Sequence, residues 1–244
     1  MRKPIPISIH APRSADLDLP PLARLDIAAN SSHPLVALSF PYPFQALKLF
    51  LAHLRFCFER KGEYGILVAR VRCGVANESD SSDADSGVDV SLEGEEDSGN
   101  EGAKGEIVGF IMWRNVPSFQ KREGEEVEEW DWLSQLPRGA NTSLWKRYTE
   151  VMSSDPGTNE SDSVEILKVA VSPQHQRRGI GTKLLKACLD EVGERDVRVR
   201  ASKDAKALYE RYGWRCEKEF KLDLREWGRC RTYANFDMVR SADA

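Results

Sequence analysis

Residues 176–182 read Gln176-Arg177-Arg178-Gly179-Ile180-Gly181-Thr182, two arginines and two glycines within seven positions. These residue types in this order suit the binding of a diphosphate. Glycine lets backbone N–H groups approach an anion closely, and arginine adds positive charge. A helix starting here would add N–H groups with no intrahelical acceptor at the positive end of its dipole. The flanks meet that condition. Residues 166–171 form a short apolar, β-branched run that reads as a buried strand, ended by Ser172-Pro173 because proline has no N–H for the ladder. Residues 182–189 carry apolar side chains at helical spacing. The order is strand, glycine-containing loop, helix. The third glycine of a dinucleotide fingerprint and the Gly-Lys-Ser/Thr of a P-loop are both missing, which excludes those two nucleotide readings.

A second block follows. Residues 197–201 alternate as a strand, and Ala205, Leu208, Tyr209 and Tyr212 then mark a short helix, closed by Gly213 at its C′ position. Two patterns stand out: Val-x-Pro-x-x-Gln-x-x-Gly-x-Gly-x-x-Leu-Leu, from Val171 to Leu185, and Ala-Ser-x-x-Ala-x-x-Leu-Tyr-Glu-x-x-Gly-Trp, from Ala201 to Trp214. Together, and in this order, they resemble the two cofactor motifs of the GNAT superfamily of N-acetyltransferases. The resemblance is specific over 164–214 and loose over 3–72 and 105–240.

That resemblance implies a fold, a cosubstrate and roles. The fold is α/β: a mixed, mostly antiparallel sheet of six or seven strands, flanked by helices and splayed at the central strands to admit acetyl-CoA. Backbone groups of Val169, Ala170 and Val171 would hold the pantetheine arm and polarise the carbonyl. Gln176 would open the diphosphate loop, with Arg177, Arg178, Gly179, Ile180, Gly181 and Thr182 around the phosphates. Tyr209 matches the tyrosine that protonates the departing thiolate in many members, its register fixed by the motif's Leu-Tyr; the alternative is a core aromatic beside Leu208, and Tyr212 is the competing phenol. Glu165 lies eleven residues before Gln176, where histone-type members carry a catalytic glutamate. A carboxyl at the start of a buried strand can have a raised pKa suited to taking an amine proton, or it can simply face solvent at the strand's edge. Other members place a glutamate on the next strand, but Arg198 and Arg200 stand there. Ser202 and Lys203 replace the asparagine that often follows, and Ser202 keeps the capacity to hydrogen-bond. His175 reads as a spacer in the loop.

The implied reaction is transfer of the acetyl group of acetyl-CoA to a primary amine on a small molecule or a protein. The alternative is a catalytically silent CoA-binding module acting through protein contacts. A longer acyl group would use the same motifs.

Composition is consistent with an intracellular protein. The chain has 244 residues, 41% of them hydrophobic, and five scattered cysteines with no CxxC, which points to reduced thiols and against zinc. No run reads as a signal peptide or a membrane span. The net charge of −4 conceals an uneven distribution, because residues 77–103 hold ten acids and no Lys or Arg. The remainder carries 35 basic against 29 acidic residues, which suits an anionic cosubstrate. No basic stripe with interleaved aromatics points to nucleic acid.

The elements that must position these groups follow from periodicity. Strands are expected at 5–10, 64–72, 106–113, 214–224 and 231–238, the last two joined by a turn at 225–229. A helix capped by Asp16 or Asp18, with Pro20 in its first turn, precedes a clearer one at 44–60. The linker Phe40-Pro41-Tyr42-Pro43-Phe44 reads as a packed connector. The stretch 77–104 lacks the apolar residues to offset its ordering entropy and reads as a disordered acidic insertion in one N-acetyltransferase domain spanning 1–244; it could dock a basic partner. A second insertion, 115–163, contains an acidic aromatic segment at 123–132, a short helix at 142–152 and a turn at 155–157. It should close over the acceptor side, where Trp130, Trp132 and Trp145 either pack in the lid, the reading favoured for any one of them, or recognise the amine.

Overall fold

The computed structural model describes residues 6–31, 33–71, 105–117, 130–152, 162–229 and 232–242. The expectations for 77–104, for 123–129 and for the turn at 155–157 fall outside them.

Among the described residues, seven strands make one sheet: β1 (Ile7–His10), β2 (Tyr64–Val71), β3 (Glu106–Val116), β4 (Ser163–Val171), β5 (Asp196–Ser202), β6 (Arg215–Asp223) and β7 (Thr232–Arg240). Their order across the sheet is β1-β2-β3-β4-β5-β7-β6. Every pairing is antiparallel except β4 with β5, which is parallel. Such a pair needs a crossover, and the helix α5 (Ile180–Val192) supplies it. The other helices are α1 (Ala15–Ala29), α2 (Pro34–Ser39), α3 (Pro43–Glu59), α4 (Thr142–Met152) and α6 (Lys203–Arg211). The architecture is the one implied by the motifs, with seven strands.

Two cores cover the sheet. Leu184, Leu185 and Cys188 of α5 pack with Val108, Ile111, Val164, Ile166, Val197 and Val199 on one face. On the other, Leu19 and Leu22 of α1 and Leu49, Phe50 and Leu54 of α3 pack with Val68, Phe110, Met112 and Ala170. Period-2 alternation, with its phase changed on β3 between Val108 and Phe110 and on β4 between Ile166 and Ala170 by register irregularities, sorts these residues between the two faces. A smaller cluster joins Leu35 of α2 and Leu144 of α4 to Leu222, Leu224 and Tyr233. It seats the α4 segment across the far end of the sheet.

Some boundaries differ from the sequence reading. Helix α1 is capped by Ser14, whose hydroxyl accepts from the Leu17 N–H at 3.2 Å. Asp18 is instead buried, bonded to Arg13 and to Arg70 of β2 at 2.9 and 2.6 Å, so it ties the helix to the sheet. Because the helix starts at Ala15, Pro20 and Pro21 lie beyond its first turn. Helix α2 was not foreseen: six residues are too few for a period to show. In the 40–44 linker only part of the expected packing holds. Phe40 is buried, but Tyr42 and Phe44 are exposed and lie against each other at 6.0 Å.

Candidate active site

The site begins where β4 and β5 separate. They pair over Ser163–Ile166 and Asp196–Val199 and no further. Beyond that point β4 continues to Val171 beside β3 alone, while β5 continues beside β7. A β-bulge marks the same place: Met112 faces Lys168 and Trp113 faces Ile166, so Leu167 is the extra residue on β4. Bulges bend and twist a strand, and this one sits at the start of the split. Among the described residues, β4 therefore has one edge with no strand beside it from Leu167 to Val171.

At the upper end of that edge lies the glycine loop. Gln176 donates its amide to the Val171 carbonyl at 3.2 Å, and the Ser172 N–H bonds the Val108 carbonyl at 2.9 Å, which fixes the loop to the sheet. Two residues then take the left-handed conformation, Arg177 with φ 60° and Gly179 with φ 77°. A non-glycine residue there is uncommon and is retained where the fold requires it. Gly179 is the N-cap of α5, and no side chain caps this helix, in contrast to α1. The Ile180 side chain is buried in the core, so its contribution to a cradle is its N–H. A Cβ at Gly181 would lie 3.9 Å from Val171 Cγ2, and Thr182 completes the first turn. Arg177 is exposed, whereas Arg178 is half-buried with its Nε buried and unpartnered. His175, expected in solvent, is half-buried too.

Below the loop the gap opens into a cavity of about 510 Å³. Glu165, Val169, Ser202 and Tyr209 all line it, so four of the sequence candidates meet there. Ala170 instead packs into the α1/α3 core, Val171 lies against the α5 core, and residues 176–182 stand outside the cavity wall. The candidates thus fall into a cradle at the α5 N-terminus and a chamber between β4 and β5, joined by the free edge of β4. These features fit an extended thioester with an anionic head.

Tyr209 is buried beside Trp214, ring centroids 5.5 Å apart. Burial pushes its phenol above the usual tyrosine range, so the group holds its proton. Tyr212 is half-buried and is not part of the cavity wall. Ser202 precedes α6 as its N-cap without spending its hydroxyl on the cap. Glu165 has a cationic partner. Its Oε2 accepts from Arg114 Nη2 of β3 at 2.9 Å, both side chains being 30% exposed. Arg200, at one of the positions of the missing next-strand glutamate, lines the cavity and bonds Asp237 at 2.8 Å.

Several lining groups come from places the sequence did not flag. Asp26 of α1 is buried, pairs with Lys168 of β4 and accepts from Asn30 Nδ2 at 2.8 Å. His53 of α3 lies 4.4 Å from the Trp132 ring, and burial plus the Lys168 charge push its imidazole down to about 3. His33 is likewise lowered by burial, so both are neutral at pH 7. Tyr148, Tyr233 and Asn235 form a hydrogen-bonded wall, with the Tyr233 hydroxyl 2.7 Å and the Tyr148 hydroxyl 3.4 Å from Asn235. Trp132 and Trp145 pack, as expected, and also line the cavity.

The class of protein follows. Residues 157–222 match the family model for an acetyltransferase (GNAT) domain, and the seven-stranded sheet split between β4 and β5 is the fold of GNAT acetyltransferases. The chain resembles a structure of histone acetyltransferase HPA2 and related acetyltransferase from Corynebacterium glutamicum, at 16% identity and TM-score 0.53, with 96% of each chain covered. It also resembles NAA60 of Arabidopsis thaliana in complex with acetyl-CoA, at 15% identity and TM-score 0.50, covering 98% of this chain and 100% of that one. A third is the PaiA N-acetyltransferase of Thermoplasma acidophilum in complex with coenzyme A, at 12% identity and TM-score 0.50, covering 97% and 99%. At these identities the likeness concerns the fold. No curated protein matches the chain.

Proposed function

We propose that the protein is an N-acetyltransferase that moves the acetyl group of acetyl-CoA to a primary amine. One observation carries the reading: an uncapped helix N-terminus, preceded by left-handed Arg177 and Gly179, stands at the end of a strand whose neighbour has parted from it. Acetyl-CoA would supply an activated acyl carbon on a thiol leaving group. The N–H groups of residues 179–182 and the charges of Arg177 and Arg178 bind its diphosphate, and the edge of β4 over 167–170, beyond its pairing with β5, offers backbone groups to its amide-containing arm. Tyr209, protonated and in the chamber, gives its proton to the sulfur as the C–S bond breaks. Glu165 accepts the proton the amine must lose, with Arg114 fixing the orientation of the carboxylate. We further assign the protein an intracellular setting, where acetyl-CoA is available and thiols such as Cys57 and Cys188 stay reduced.

The test is isothermal titration of acetyl-CoA into the wild-type protein and the Gly179→Glu/Gly181→Glu variant, followed by release of free CoA thiol in the presence of amines. Binding by wild type alone, with amine-dependent thiol release, supports the reading. Binding without release for any amine leaves a silent CoA-binding module, and no binding ends both.

A further inference from the structure

Apart from the candidate catalytic groups, the chamber has a wall of its own. Six cavity-lining rings touch in one unbroken series: Phe50, Trp132, Trp145, Tyr148, Tyr233 and His33. Successive centroids are 6.4, 5.8, 5.8, 6.3 and 5.1 Å apart, and the Trp132–Trp145 pair is stacked at 15°. The rings come from α3, the segment before α4, α4, β7 and the residue before α2. Five separate parts of the chain thus converge to build a single aromatic surface.

The charges in the same cavity cancel. Among the described residues, its charged lining residues are Asp26 and Glu165 against Lys168 and Arg200, and each has an ion-pair partner: Asp26 with Lys168, Glu165 with Arg114, Arg200 with Asp237. His33 and His53 are neutral at pH 7. A polycation therefore finds no spare carboxylate among the described lining residues for its second ammonium, and a small hydrophilic amine leaves the rings uncovered. From these observations we infer that the acceptor is a monoamine with an aromatic body, which lies on this wall with its amine toward Glu165, and that Trp132 and Trp145 set the specificity. An aromatic ring gains both apolar burial and edge or face contacts there, and an ammonium nearby is attracted to the ring faces. The inference rests on the acetyl-transfer reading and narrows its acceptor.

The full chain is assayed for CoA-thiol release with phenethylamine, ethanolamine and spermidine, alongside separate titration of acetyl-CoA. Phenethylamine should exceed the other two in kcat/KM by roughly tenfold or more. Trp145→Ala and Trp132→Ala should collapse that ratio through KM for the aromatic amine, and Trp145→Phe should retain most of it. The affinity for acetyl-CoA should not change, which also reports that each variant is folded. A ratio between substrates is unaffected by the fraction of active protein, so partial misfolding cannot imitate the result. Preference for ethanolamine or spermidine, or a ratio unmoved by the tryptophan variants, overturns the inference. Acetyl-CoA binding without turnover of the aromatic amine overturns it while leaving the cosubstrate assignment intact, whereas failure to bind acetyl-CoA removes both.

Discussion

Ile166 of β4 and Val199 of β5 are the last residues to face each other before the two parallel strands part, and both are buried in the core beneath α5. One residue later the Leu167 bulge turns β4 away. The opening is thus anchored at its base by core packing and aimed by an irregularity in one strand. Binding energy is not needed to pry these strands apart, because the fold already separates them.

The loop at the upper end gives the first prediction. Gly179 has φ 77°, and no atom lies within 4 Å of where a Cβ would stand. Gly179→Ala meets conformational strain of about 1–2 kcal/mol rather than a clash, so the variant should fold with a modestly lower Tm. Gly179→Glu puts a negative charge at the positive end of the helix, where it takes the place of a phosphate and repels one, and should weaken acetyl-CoA roughly tenfold or more. Titration calorimetry separates the two. Equal affinity for the wild type and the glutamate variant would place the diphosphate elsewhere.

Tyr209 yields the second. Tyr209→Phe keeps the ring against Trp214 and removes only the hydroxyl. If the phenol protonates the thiolate, kcat should fall by roughly 100-fold with little change in acetyl-CoA affinity. Tyr212→Phe, outside the cavity wall, should remain close to wild type. Because burial raises the Tyr209 phenol, wild-type activity should not decline from its ionisation below pH 10. A loss carried by Tyr212→Phe instead would reassign the donor.

How much of this could be read from the sequence depends on locality. The half proposed to hold the cosubstrate was legible as strand, loop and helix because its parts are contiguous: residues 176–182 make the loop, and Ser202 and Tyr209 stand on the β5–α6 turn and the helix after it. The acceptor half was not. Asp26, His33, Phe50, Trp145 and Tyr233 are scattered over two hundred residues and meet only through tertiary packing. Glu165 is a candidate from its position on β4, and the structure places it in the cavity wall, but its partner Arg114 is fixed by the β3–β4 register, which includes the bulge and could not be inferred. The same holds at α1, where two nearby acids suggested a cap. Ser14 takes that place because Arg13 and Arg70 hold Asp18 inside the protein.

The third prediction concerns pH. His53 is pushed down from 6.5 to about 3, burial being the larger cause and Lys168 the other. The unfolded chain therefore takes up a proton near pH 6.5 that the folded chain refuses, and stability should be lost as pH falls from 6.5 toward 3. At the other end, burial raises the thiols of Cys57 and Cys188 from 9.0 to about 12, and the phenols of Tyr148, Tyr209 and Tyr233 also rise above their usual value. The folded chain then holds more protons than the unfolded one above pH 9, so stability should fall again as pH rises. Tm measured from pH 4 to 11 should give a plateau between about 6.5 and 9. The variant His53→Gln should flatten the acidic limb alone; an unchanged limb would assign it to other groups.

The last prediction tests the ion pair beneath the aromatic wall. Asp26 is 1% exposed and Lys168 21%, and the Lys168 ammonium also lies 4.6 Å from the Phe50 ring centroid. Asp26→Asn leaves Lys168 facing a neutral amide in a confined space. The cost should be about 2–3 kcal/mol, toward the low end for a broken buried pair because Lys168 retains some contact with water. Lys168→Met in the same background removes the stranded charge and keeps the length of the side chain, so the double variant should recover part of the loss. Urea unfolding of both single variants and the double variant gives the coupling directly. If the double variant loses as much as the sum of the singles, the two residues act independently. The pair would then be no more than neighbouring charges at the chamber floor.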